Sequence, residues 1–154
     1  MTSDDKKKIL SKLQALCARK EYCEGDIYRK ALKLAEGDDA VASELLASLV
    51  TDRFVDDLRY AAAFARDKAS LDGWGPVKIR FQLSAKGVRR EVIAEALSQV
   101  DEEKADGRMK EILAAKLRTL DGDPEVRLKL LKFALTRGYE YDAANRAVSD
   151  LLRR

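Results

Sequence analysis

Histidine is absent from this chain of 154 residues. That excludes Ser-His-Asp and Cys-His nucleophile systems and every histidine-ligated metal site. Cysteine is nearly as scarce. Cys17 and Cys23 are the two present; they make no disulfide framework and complete no four-ligand zinc site, and so low a count suits a reducing cytosol. No apolar run approaches the roughly 18 residues of a membrane helix, so no membrane span is expected. The aromatic content of 6% includes no RNP-like stacking platform, and no glycine-rich phosphate loop occurs. Neither sign of charge dominates: 30 basic residues face 27 acidic ones, for a net +3. Any site for nucleic acid or an acidic partner must therefore come from local clustering. The opening residues, Met1 to Lys8, lack the apolar core of a secretory signal, and a cytoplasmic location is expected. No catalytic residue, cofactor or metal is expected, and the chain reads as a non-enzyme.

What is present is helical periodicity. Apolar residues recur at three and four nearly throughout, without sustained alternation, so the expected class is all-α. Nine helical segments fall into three groups of three, with boundaries at 1–52, 53–101 and 102–154. In the first group one helix carries Ile9, Leu10, Leu13, Leu16 and Cys17 on one face. A second runs from about Glu24 to Glu36 with Ile27, Ala31, Leu34 and Ala35 inward, and Gly37 stops it. Asp38 or Asp39 caps a third, whose core face is Val41, Leu45, Leu46 and Leu49. Capping also explains Asp56-Asp57, because adjacent helical residues point about 100° apart and do not chelate together.

The second group continues through Tyr60, Ala61, Phe64, Ala65 and Lys68 to a break at Asp72-Gly73. Gly75-Pro76 opens the next helix, with Ile79 and Leu83 inward. Gly87 ends it, Val88 tucks under the last turn in a Schellman closure, and Val92, Ile93, Ala96 and Leu97 form the following core face. In the third group Met109, Ile112, Leu113, Lys116 and Leu117 line the first helix. Asp123-Pro124-Glu125 reads as N-cap, first-turn proline and first-turn acid. Leu130, Phe133 and Ala134 follow before Gly138. Tyr141, Ala144, Val148 and Leu151 or Leu152 line a last helix that runs almost to Arg154.

The groups repeat one another. Gly87 and Gly138 lie 51 residues apart, as do Ile79 and Leu130. Such a period marks a tandem three-helix unit, and arrays of this kind offer a surface more often than a catalytic pocket. Matching Ile27 to Ile79 gives the first unit two extra residues in its inter-helix turn. It is the most divergent unit, as terminal repeats often are.

The run Asp56-Asp57-Leu58-Arg59-Tyr60-Ala61, Lys68, Trp74-Gly75, Ile79, Leu83 and Lys86-Gly87-Val88 resembles the RecX family of bacterial regulators of the RecA recombinase. Phe133, Leu135 and Arg137-Gly138-Tyr139 repeat part of it. The resemblance covers essentially the whole chain, with Gln82 in place of a common acid and Tyr139 in place of a common phenylalanine. It implies an elongated, curved array of three three-helix repeats that lodges in the groove of the RecA–DNA filament. It also implies suppression of RecA ATP hydrolysis, strand exchange and coprotease activity.

The residues themselves offer one candidate surface. Between Trp74 and Arg90 the charged residues are Lys78, Arg80, Lys86, Arg89 and Arg90, with no acid among them. The third unit repeats this mildly with Arg127, Lys129, Lys132 and Arg137 against Glu125. Such faces meet acidic protein loops or phosphates. An ordinary solvated helix face is the alternative; the recurrence favours a contact surface. A RecA filament is the expected partner of a monomeric chain. Direct binding of single-stranded or duplex DNA by the same basic module is the alternative function. Trp74 packs over a helix start or serves as an interface anchor. Tyr60, Tyr139 and Tyr141 are expected in inter-helix packing, and Cys17 and Cys23 at core or boundary positions.

Overall fold

A computed structural model describes residues 1–153; Arg154 lies outside the described residues. The architecture is all-α, in tandem three-helix repeats. Nine α-helices occur among the described residues: α1 Ser3–Arg19, α2 Glu24–Leu34, α3 Asp39–Thr51, α4 Asp57–Asp67, α5 Pro76–Ala85, α6 Arg90–Ser98, α7 Glu102–Arg118, α8 Val126–Thr136 and α9 Tyr141–Leu152. A π-helical turn, Lys68–Asp72, extends α4. The chain forms two compact units, one of residues 1–61 with 83–94 and one of residues 62–82 with 95–154. Helices α4, α5 and α6 therefore each contribute to both.

The core of the first unit gathers Ile9 and Leu13 of α1, Ile27 and Ala31 of α2, and Val41, Ala42, Leu45 and Leu49 of α3, all buried. That of the second gathers Met109 and Leu113 of α7, Leu130 and Ala134 of α8, and Tyr139, Ala144, Ala147 and Val148. These are the stripes at three- and four-residue spacing, removed from water by the helices they bring together.

The middle helix of each repeat ends in the same way. The N–H groups of Val88 and Gly87 donate to the carbonyls of Leu83 and Ser84, at 3.1 and 3.0 Å. Tyr139 and Gly138 repeat the pair on Ala134 and Leu135, and Gly37 and Glu36 repeat it on Leu32 and Lys33. These are Schellman closures. In the first repeat the left-handed residue is Glu36, at φ 55°, with Gly37 following it. Glu36, Gly87 and Gly138 are spaced by 51 residues each. The first unit is thus one residue longer than the others between its buried isoleucine and its turn, rather than two.

Other expectations are corrected. Helix α2 stops at Leu34, and Leu34 itself faces solvent. Helix α8 starts at Val126 instead of at Pro124: Asp123 takes the Glu125 N–H two residues on, at 2.8 Å, and holds Lys129, so it closes an Asx turn instead of capping the helix. Tyr141 opens α9 and is 57% exposed, so it stands outside the buried core in which Tyr139 takes part. Two caps are as expected: Asp56 caps α4 by accepting the Arg59 N–H at 3.0 Å, and Asp38, of the two candidates, caps α3. Asp57 in addition reaches the start of α2 and accepts the Glu24 N–H at 2.7 Å.

Helix starts also meet helix ends. In the second unit Gly75 and Val77, at the start of α5, donate to the carbonyls of Arg137 and Gly138 after α8, at 2.8 and 2.9 Å. Orphan donors of one helix thereby satisfy orphan acceptors of another. The approach is close enough to require glycine twice. A Cβ on Gly75 would stand 2.2 Å from the Gly138 carbonyl, and one on Gly138, at φ 94°, would stand 2.3 Å from the Lys78 Cβ. In the first unit the start of α2 meets the turn after α5. There the Cys23 thiol donates to the Lys86 carbonyl at 3.8 Å.

Candidate partner-binding surface

The nine bases singled out from the sequence divide between the units: Lys86, Arg89 and Arg90 in the first, the others in the second. Most of them already have partners. Lys78 lies over the Trp74 ring at 4.2 Å, with Lys68 at 4.7 Å from the same ring and Phe64 edge-on to it. Trp74 is therefore held over the start of α5 between two cations, a packing arrangement that recurs for indoles near ammonium groups. Arg80 pairs with Glu140 at 3.0 Å, and Lys86 with Asp26 at 3.0 Å.

On α8, Arg127 donates to Asn145 and Ser149, at 2.9 and 2.7 Å, and Lys129 pairs with Asp123 at 2.5 Å. Arg137 donates to the Gly73 carbonyl at 3.0 Å and to that of Asp72, below the Phe133 ring. Among the described residues, Arg89, Arg90 and Lys132 are exposed and make no ion pair. Arg89 is near enough to act on Glu24. Burial first, then Asp57, pushes the Glu24 carboxyl up, and Arg89 opposes them.

The sequence reading missed the apolar side chains on the outward faces of these helices. Phe81 is 70% exposed, and Val77, one turn earlier on α5, is also exposed. Leu128 and Leu135 stand exposed on α8. Leu128 is 51 residues after Val77, so the feature recurs at an equivalent position. The signal was available. Ile79 and Leu83 face inward, and Val77 and Phe81, two residues before each, project about 200° away. A helix apolar on both faces needs a covering partner or leaves a patch in water.

The remaining candidates have structural roles. The Cys23 sulfur accepts the Asp26 N–H at 3.4 Å as the N-cap of α2, and burial raises its thiol pKa. Cys17 is a half-buried free thiol on α1. Among the described residues, no group of three or more Cys, Asp or Glu side chains is arranged to hold a metal ion, and no helix is long and apolar enough to cross a membrane.

Residues 56–97 match the family model for the second three-helix domain of RecX. The regulatory protein RecX of Chromohalobacter salexigens is 32% identical over 136 residues, covering 87% of this chain and 86% of that protein. The chain belongs to the RecX family. The RecX of Clostridium botulinum strain Eklund 17B is likewise 32% identical, over 80% of this chain, although the match spans 59% of the relative's length. A crystal structure of regulatory protein RecX has a TM-score of 0.84 at 25% identity, over 96% of this chain and 73% of that one. RecX from Lactobacillus salivarius shares the fold with a TM-score of 0.80 at 21% identity, over 99% of this chain and 100% of the other. The three-helix repeat read from the 51-residue period is thus the RecX repeat.

Proposed function

We infer that this RecX family member is a non-enzymatic cytoplasmic regulator that binds RecA–DNA filaments as a monomer and inhibits RecA ATP hydrolysis, strand exchange and coprotease activity. The observation that carries this reading is family membership over most of the chain. The surface supports it. In the first unit Arg89 and Arg90 are exposed and make no ion pair among the described residues; in the second, Lys132 does the same and Val77, Phe81, Leu128 and Leu135 supply apolar contact area. Apolar anchors with a charged rim suit a protein partner. Regulation follows if the chain binds one filament state more tightly than another, because a ligand shifts an equilibrium only by its differential affinity. The three groups at 1–52, 53–101 and 102–154 serve as successive contact modules in this reading.

Titrating the chain into single-stranded-DNA-dependent ATP hydrolysis by the cognate RecA tests it. Inhibition at well below one molecule per RecA monomer is expected. No inhibition by a chain with normal helical content would contradict it.

Phe81 favours a second reading, direct binding of single-stranded DNA, since an exposed aromatic ring suits base stacking. Binding of this kind weakens with salt at a log–log slope of roughly −0.7 per phosphate neutralised. Absent or salt-insensitive binding to DNA alone removes it.

A further inference from the structure

The second unit holds a cleft of about 620 Å³. Its floor is apolar, with buried Ile79 and Met109 beside Trp74 and Leu97. Tyr139 lines the same cleft. It is 7% exposed, and its hydroxyl is buried with no hydrogen-bond partner among the described residues. Buried phenol oxygens normally find a partner, because leaving water uncompensated is unfavourable.

The charges around this floor run against those of the whole chain. Glu102, Glu103, Asp106 and Glu140 line the cleft against two arginines, Arg80 and Arg146, although the chain carries net positive charge. Arg80 neutralises Glu140, and Lys110 pairs with Asp106 at 2.9 Å. Glu102 and Glu103 make no ion pair among the described residues. First-turn acids ordinarily serve a helix end. The end of α7 is already capped by Asp101, which accepts the Lys104 N–H at 3.1 Å, and helix capping accounts for neither the apolar floor nor the orphan hydroxyl.

We propose that this cleft binds a protein segment carrying an aromatic or long aliphatic side chain next to lysine or arginine. The apolar side chain lies on the floor of Trp74, Ile79 and Met109. The flanking cations meet Glu102 and Glu103. The site shares with the basic face of α5 only Arg80, which Glu140 holds, and it takes a segment of positive charge.

The chain has two methionines, Met1 and Met109, so methyl-labelled methionine gives one resonance inside the cleft. Titration with a capped Lys-Phe-Lys peptide is expected to shift the Met109 methyl signal saturably. A capped Glu-Phe-Glu peptide is expected to bind about tenfold more weakly. The double substitution Glu102→Gln and Glu103→Gln removes most of that difference. Tyr139→Phe serves as the control: it deletes an unpaired buried hydroxyl, so it leaves the thermal midpoint unmoved or raised and leaves Lys-Phe-Lys binding unchanged. No saturable shift with either peptide, or equal binding of both, overturns the proposal. A Met109 shift that grows on concentrating the protein alone assigns the cleft to a second copy of the chain and overturns it too.

Discussion

Each unit contains one joint between a helix start and a helix end, and the two are built from different materials. In the second unit Gly75 and Val77 place backbone N–H groups on the Arg137 and Gly138 carbonyls, and the Arg137 guanidinium reaches back to the carbonyls of Gly73 and Asp72. In the first unit a thiol makes the contact, from Cys23 to the Lys86 carbonyl, and the Lys86 ammonium pairs with Asp26. Lys86 and Arg137 stand 51 residues apart, at equivalent points of the repeat. A base that recurs at that point stabilises a recurring internal joint. Recurrence of charge in a repeat protein is therefore no sign of a partner by itself. In the proposed reading the bases left for a partner are Arg90 and Lys132, together with Arg89, which also opposes the acids around Glu24 at the start of α2.

The joints differ most in their tolerance of added volume. Gly75→Ala or Gly138→Ala drives a Cβ to 2.2–2.3 Å from its neighbours, and a loss of about 3 kcal/mol or more in unfolding free energy is expected. Gly25→Ala meets the Lys86 carbonyl oxygen alone, at 2.7 Å, and about 1–2 kcal/mol is expected. Chemical denaturation of the three variants checks the ranking; equal losses would mean that the two joints are equally tight.

Side-chain removal gives the next largest contrast. Arg137→Ala strips a charged donor from the partly buried Gly73 carbonyl and the exposed Asp72 carbonyl and should cost about 1–2 kcal/mol. Lys86→Ala removes a half-exposed ion pair, for which about 0–1 kcal/mol is expected. Cys23→Ala deletes the N-cap of α2 and should cost about 1 kcal/mol, with Cys23→Ser restoring most of it, because a hydroxyl caps better than a thiol.

The smallest effect is in acid. Burial acts most strongly on the Asp26 carboxyl and pushes it up, but Lys86, Cys23 and Arg29 outweigh it and hold its pKa below the ordinary 3.8. A depressed carboxylate stabilises the fold above its unfolded pKa, and that stabilisation disappears as pH falls through the lower folded value. Asp26→Asn should therefore lose less stability than the parent chain between about pH 4 and pH 2. Parallel acid curves would show that Asp26 gains nothing from its partners.

Much of this was legible locally. The stops at Gly87 and Gly138, the caps at Asp38 and Asp56 and the buried faces around Ile79 and Leu130 all follow from spacing, because each depends on neighbours within a turn or two. The joints were not legible. Cys23 meets a carbonyl 63 residues away, and Arg137 meets carbonyls 64 and 65 residues away. No local pattern encodes such pairings, so Cys23 read as a core residue and Arg137 as a surface one. Glu36 was missed as the left-handed residue because Gly37, beside it, is the commoner choice. Of the candidate surface, the charge run was visible at once. The two-faced apolar pattern of Val77 and Phe81 against Ile79 and Leu83 is equally present in the sequence, but a helix apolar on both faces has the same letters whether its second face is buried or in water, and only the structure shows Val77 and Phe81 exposed.

The most direct test is inhibition of RecA ATP hydrolysis by a variant that reverses only the bases left for a partner, Arg89→Glu, Arg90→Glu and Lys132→Glu, against one that replaces the joint base, Lys86→Ala. The triple variant is expected to lose about tenfold or more in inhibitory potency while keeping its helical content at the assay temperature; Arg89→Glu lowers the thermal midpoint, because it sets a further acid beside Glu24 and Asp57. The Lys86 variant is expected to inhibit nearly as well as the parent chain. Full inhibition by a folded triple variant would contradict the assignment of these three residues to the partner-binding surface.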